Sequence, residues 1–144
     1  MKKIAFSLCA VLFLMAFTTE NKNDPGGKTF TIQLSGSEEV TPGDPDGTGM
    51  ATITLNQGQG TISYQITVSG IETPMAAHIH EAPAGQAGPV VFTLATPVNG
   101  VSSGVIRNVS KEMIKEIRQN PEDYYINVHN AMYPAGALRG QLSH

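Results

Sequence analysis

Beyond residue 28, polar and apolar residues alternate with a period of two, the pattern of strands with one buried face. Phe30, Ile32 and Leu34 follow it, as do Ala51, Ile53 and Leu55, and then Ile62, Tyr64, Ile66 and Val68. Three half-buried strands are expected there. Asn56 to Gly60 (NQGQG) supplies a short hairpin turn between the second and third. Thr41 to Gly47 (TPGDPDG) is too rich in Pro, Gly and Asp to be a strand. Further strands are expected over Ala76–His80, Val90–Leu94, Val101–Ile106, Tyr124–His129 and Ala137–Leu142, the last two joined by the turn-rich NAMYPAG. About eight short strands with frequent turns predict an all-β sandwich or barrel.

One stretch breaks the pattern. In SKEMIKEIRQNP, Ser110 is placed to cap a helix, Met113, Ile114 and Ile117 form a narrow apolar stripe, and Asn120-Pro121 ends it. Three apolar residues suit a plug over one end of the strands better than a docking face.

The first 18 residues have the form of a secretory signal: Lys2 and Lys3, an apolar run from Ile4 to Phe17, and Ala16 and Thr18 as a small-x-small cleavage site. The run is shorter than the ~20 residues of a membrane span, so no span is expected after cleavage, an uncleaved anchor being the alternative. Residues 19–28 read as a polar linker and 29–144 as one domain, secreted, periplasmic or at the cell surface. The sole cysteine, Cys9, lies inside the apolar run behind the bulky Leu8, which disfavours a lipoprotein signal. Apolar burial rather than disulfides must then hold the domain. Removal of Lys2 and Lys3 leaves 7 basic against 12 acidic residues. That mild acidity gives no reason to expect a nucleic-acid partner.

Candidate chemistry centres on the histidines. On a strand His78 and His80 share one face while Ala77 and Ile79 take the other. The later strand repeats the parity, with Ile126 and Val128 facing one way and Tyr125, Asn127 and His129 the other. If the two strands are neighbours, His78, His80 and His129 converge on one metal ion, copper or zinc by the preference of neutral imidazole. Met75 and Met132, each three residues from a histidine, could add soft sulfur and favour Cu(I). The competing reading is a polar strand face turned to solvent. His144 is the weakest metal candidate.

Other chemistry is thin, with no cysteine nucleophile, phosphate loop or serine elbow. Glu38 and Glu39 would face opposite ways on a strand. Asp44 and Asp46 fit a solvated turn better than a calcium site. Asn108-Val109-Ser110 matches an N-glycosylation acceptor, relevant only in a eukaryotic host. Arg139, opposite in parity to Leu138 and Leu142, is expected to play a structural part by pairing with Glu39 or Glu81, or else to lie on the surface.

AHIHEAPAGQAGPVVF, then YYINVHNAMYPAGALRGQL some 30 residues later, with SEEV before the first Gly-rich loop, resembles the CHRD domain, named for its repeats in chordin. The resemblance covers roughly residues 29 to 143. It implies an immunoglobulin-like or Greek-key all-β fold in an exported protein, with single-domain bacterial members among its relatives. Two departures stand out. Glu81 occupies a place usually held by glycine, where it could act as a further ligand or a carboxylate behind one. Ala137 replaces the glutamate of a usual Gly-Glu-Ile-Arg-Gly. Three functions follow as expectations: a small module binding copper or zinc, a surface module binding an extracellular protein, and, by analogy with the copper side of a dismutase, a redox enzyme. The dismutase analogy lacks the zinc half and enough ligands, so no catalytic residue is expected.

Overall fold

Side chains that alternate in the sequence alternate across a single curled sheet. The computed structural model describes residues 27–144; the expected signal segment and residues 19–26 of the expected linker lie outside them. The strands are β1 (Lys28–Ser35), β2 (Thr48–Asn56), β3 (Thr61–Ser69), β4 (Pro74–Glu81), β5 (Val90–Leu94), β6 (Val101–Ile106), β7 (Tyr124–Asn130) and β8 (Leu138–Gln141). The first strand begins at Lys28, the last residue of the expected linker.

The order across the sheet is β5-β4-β7-β8-β1-β2-β3-β6, and the register is antiparallel throughout. Of the two expected architectures this is the barrel: eight strands in one nearly closed sheet. β5 and β6 are its edges. The segment between them stitches the seam, with Ala95 N–H donating to Tyr64 Oη at 2.8 Å and Val68 N–H to Gly100 O at 2.8 Å.

Every inward set predicted from periodicity meets in one core. Phe30, Ile32 and Leu34 pack with Ala51, Ile53, Leu55, Ile62, Ile66, Ile79, Ile126, Val128 and Leu138, all buried. Burying each of these side chains larger than alanine contributes about 1.5–3 kcal/mol. The helix α1 (Lys111–Gln119) adds the buried Ile114 and Ile117 at the barrel end where Val109 N–H donates to Gly60 O. It is the expected plug.

Ser110 caps α1 as its sequence position suggests, its hydroxyl accepting from Met113 N–H at 3.1 Å. Replacing Ser110 with alanine leaves that amide without its protein partner and is expected to cost about 1 kcal/mol, read as a small fall in urea midpoint at constant m-value. A change in m instead would mean that the helix had come away from the barrel.

Candidate metal centre

Strand order decides which polar residues meet. β7 lies between β4 and β8, with His78 opposite Asn127, His80 opposite Tyr125 and Ala76 opposite His129; across its other side Asn127 faces Arg139 and Tyr125 faces Gln141. The outer face of these three strands therefore gathers His78, His80, Tyr125, Asn127, His129, Arg139 and Gln141.

That face is not the solvated one expected of outward parity. His80 is 9% exposed, and Asn127 and Arg139 are 2% exposed. Main-chain carbonyls of the segment 82–89, Pro134 in the β7–β8 loop and Glu39 after a short 3-10 turn at Gly36–Glu38 close over it. The barrel thus has a second, polar interior outside the sheet. Glu38 and Glu39 are also not on a strand, because the chain turns there.

The three histidines converge. One ring nitrogen from each lies within 4.8 Å of the others. Ring centroids are 5.4 Å apart for His78 and His80, 5.0 Å for His78 and His129, and 6.0 Å for His80 and His129. Nitrogens around a tetrahedral ion with bonds of ~2.0–2.1 Å stand about 3.4 Å apart, so closure takes a movement of roughly 1 Å.

Backbone carbonyls fix two of the tautomers. His80 Nδ1 lies 2.9 Å from Gly88 O, and His129 Nδ1 lies 3.1 Å from Pro134 O. A carbonyl only accepts, so each Nδ1 carries hydrogen and each neutral ring presents an Nε2 lone pair. His129 Nε2 meets His78 Nδ1 at 3.1 Å. His80 Nε2 is buried with no hydrogen-bond partner, a state that is costly unless something fills it. Burial, then the charge of His80, holds His78 below the usual imidazole range. Burial also lowers His129, against the Pro134 bond and with help from His78 and His80. Both shifts favour the neutral form that ligates metal.

The surrounding groups were largely missed by sequence reasoning, although parity had placed Tyr125 and Asn127 beside His129. His80 stacks on Tyr125 at 4.9 Å and 8°. The Arg139 guanidinium lies 3.5 Å from the Tyr125 ring centroid. Arg139 is buried, contrary to a surface position, and the expected pairing with Glu39 or Glu81 is not what holds it. It donates to Gln86 O at 2.7 Å, Pro83 O at 3.1 Å and Gln141 Oε1 at 3.0 Å. Gln141 in turn donates to Ala82 O and Glu122 O.

Asn127 Nδ2 donates to Glu39 Oε1 and, at 3.4 Å, to Leu138 O. A Cβ on Gly136 would fall 2.2 Å from Glu39 Oε1, so this pair needs a glycine beneath it. Burial pushes the Glu39 carboxyl up to about 7, with the Arg139 charge and the Asn127 bond opposing. Asn130 steadies the loop carrying Pro134, its Oδ1 accepting from Tyr133 N–H at 2.8 Å.

Several candidates stand elsewhere. Glu81 alternates away from His80 and is exposed; it lines a hollow with Pro83, Gln86 and Asp123, and where burial pushes Tyr124 up to about 12 the Glu81 charge adds to the rise. It is not one of the gathered ligands. Met75 is 66% and Met132 60% exposed, Met132 lining a hollow with Asp44, Asp46 and Glu72. His144 meets Lys28 instead, at 2.7 Å. Asp44 accepts from Asp46 N–H at 3.1 Å, forming the expected turn.

No helix among the described residues is long and apolar enough to cross a membrane. A comparison with curated proteins gave no match, and neither did a comparison with solved structures. The CHRD domain family matches residues 30–142, a span that takes in β1 from Phe30 and the other seven strands, among them both histidine strands and the Arg139 strand. With that match over most of its length, the chain belongs to the CHRD domain family.

Proposed function

We propose that this CHRD domain is an exported binding module that holds one copper or zinc ion through His78, His80 and His129. The observation that carries the reading is the buried, unpartnered His80 Nε2, aimed from a ring whose other nitrogen is already committed to Gly88 O. An ion satisfies that lone pair and replaces the His78–His129 hydrogen bond, His78 giving up its Nδ1 proton to solvent or to its own Nε2. The three gathered donors are imidazole nitrogens, and for such a set the Irving–Williams order ranks Cu(II) above zinc. Export rests on the signal-like residues 1–18 and accords with the extracellular setting expected of the family.

Untagged protein loaded with copper and then desalted is expected to carry about one ion per chain, and the His78→Ala, His80→Ala double variant almost none. Equal metal in both sinks the reading and leaves the histidines as hydrogen-bonding supports in a module that binds another protein.

A further inference from the structure

Two stacked contacts and a run of carbonyl acceptors link His80 to a side chain that never touches it. The segment 82–89 leaves β4 directly after His80 and returns as β5. Its inner surface is a row of backbone groups: Ala82 O, Pro83 O, Gln86 O, and both the N–H and C=O of Gly88. All five are held from the sheet. Gln141 takes Ala82, Arg139 takes Pro83 and Gln86, Tyr125 Oη accepts from Gly88 N–H at 3.2 Å, and His80 donates to Gly88 O.

We infer that Arg139 is a positioning residue for the metal site, fixing the ring plane and tautomer of His80 by clamping this segment and by backing Tyr125. Two routes run from its guanidinium to the imidazole. One passes through Pro83 O and Gln86 O to Gly88 O, the acceptor that puts hydrogen on His80 Nδ1 and the lone pair on Nε2. The other passes through the Tyr125 ring, which strand order sets between Arg139 and His80, and on which His80 lies at 8°. Only a planar, forked cation can bond two carbonyls and a side-chain amide while lying on an aromatic face. This accounts for a buried arginine on a strand face with no carboxylate among its hydrogen-bond partners. It would otherwise be an expensive group to bury.

The consequence for affinity rests on the metal reading, whereas the control of His80 does not, and two measurements separate them. In metal-free protein, the His80 Nδ1–H resonance is expected to be sharp and slow to exchange. In Arg139→Lys it should exchange at least tenfold faster, and the ring nitrogen shifts should move toward a mixture of tautomers. In copper-loaded protein, the electron paramagnetic resonance of Arg139→Lys should show two coupled nitrogens in place of three, with affinity reduced about 10- to 100-fold.

Arg139→Lys protein that folds, keeps a protected His80 Nδ1–H and retains the three-nitrogen signature overturns the inference, however much stability it has lost. If Arg139→Lys does not fold, Tyr125→Phe decides. It keeps both stacks but removes the acceptor of Gly88 N–H, so His80 Nδ1–H should exchange several-fold faster, and unchanged exchange overturns the inference. Wild-type protein that takes up no copper defeats the proposed function, while the proton-exchange arm still rules on Arg139.

Discussion

Alanine at position 88 is expected to lower the melting temperature by roughly 10 °C and to weaken copper binding by about 10- to 100-fold. A Cβ on Gly88 would fall 1.9 Å from Glu81 O and 2.8 Å from Ala82 Cβ. Those atoms belong to the strand end and to the start of the same segment, so no flexible side chain can yield. The backbone must move, at a cost of about 2–3 kcal/mol by the usual scale of overpacking. Moving it pulls Gly88 away from Tyr125 Oη and His80 Nδ1 together. The stability loss is read by calorimetry and the metal loss by competition with a chelator of known affinity. Alanine that lowers the melting temperature while leaving copper affinity unchanged would show that Gly88 O does not set the His80 lone pair. A melting temperature left intact would show that the segment has room the geometry denies.

The parts of this arrangement legible in the sequence are those governed by alternation. Strand parity placed Phe30, Ile32 and Leu34 inside and His78, His80 and His129 together on the other face. It needed only that β4 and β7 be neighbours. The helix was equally plain, because Ser110, the Met113–Ile114–Ile117 stripe and Pro121 each mark a local event.

Alternation could not reveal that the outward face is covered. What covers and orients it are the carbonyls of Pro83, Gln86, Gly88 and Pro134, and a carbonyl oxygen leaves no signature in residue identity. The unforeseen setting of Arg139 follows from this. Reasoning from charge sought a carboxylate for Arg139, when its partners are two main-chain oxygens, the Gln141 side-chain oxygen and a tyrosine face. A spacing of three residues suggested Met75 and Met132; Met75 lies at the register shift near the start of β4 and Met132 in the loop after β7, and at neither place does spacing alone fix direction. Glu81 was the reverse case: adjacency to His80 suggested a ligand, and the strand's own alternation turns it away.

Glu39→Gln is expected to stabilise the protein at pH 8 by roughly 1–2 kcal/mol and to leave stability at pH 4 almost unchanged. The Glu39 carboxyl, ordinarily near 4.5, is pushed up to about 7 by burial, against the Arg139 charge and the Asn127 bond. A carboxyl raised in this way favours the folded state when protonated. Its contribution is complete below pH 4.5 and is lost as pH rises from there to about 7. In a dry site that displacement would be worth about 3 kcal/mol; Glu39 is only half-buried, and screening by solvent leaves the smaller figure.

His78 and His129 act in the opposite direction. Both are held below 6.5, so their contribution is present above that pH and is lost as the solution is acidified through their lowered folded values. The wild-type curve therefore mixes two slopes of opposite sign, and subtracting the Glu39→Gln curve isolates the carboxyl. Urea unfolding of metal-free protein at the two pH values measures the difference directly. Glutamine that proves the less stable residue at pH 8 would mean that the charge on Glu39 is wanted beside Arg139, so that attraction between the two outweighs the cost of burying the carboxylate.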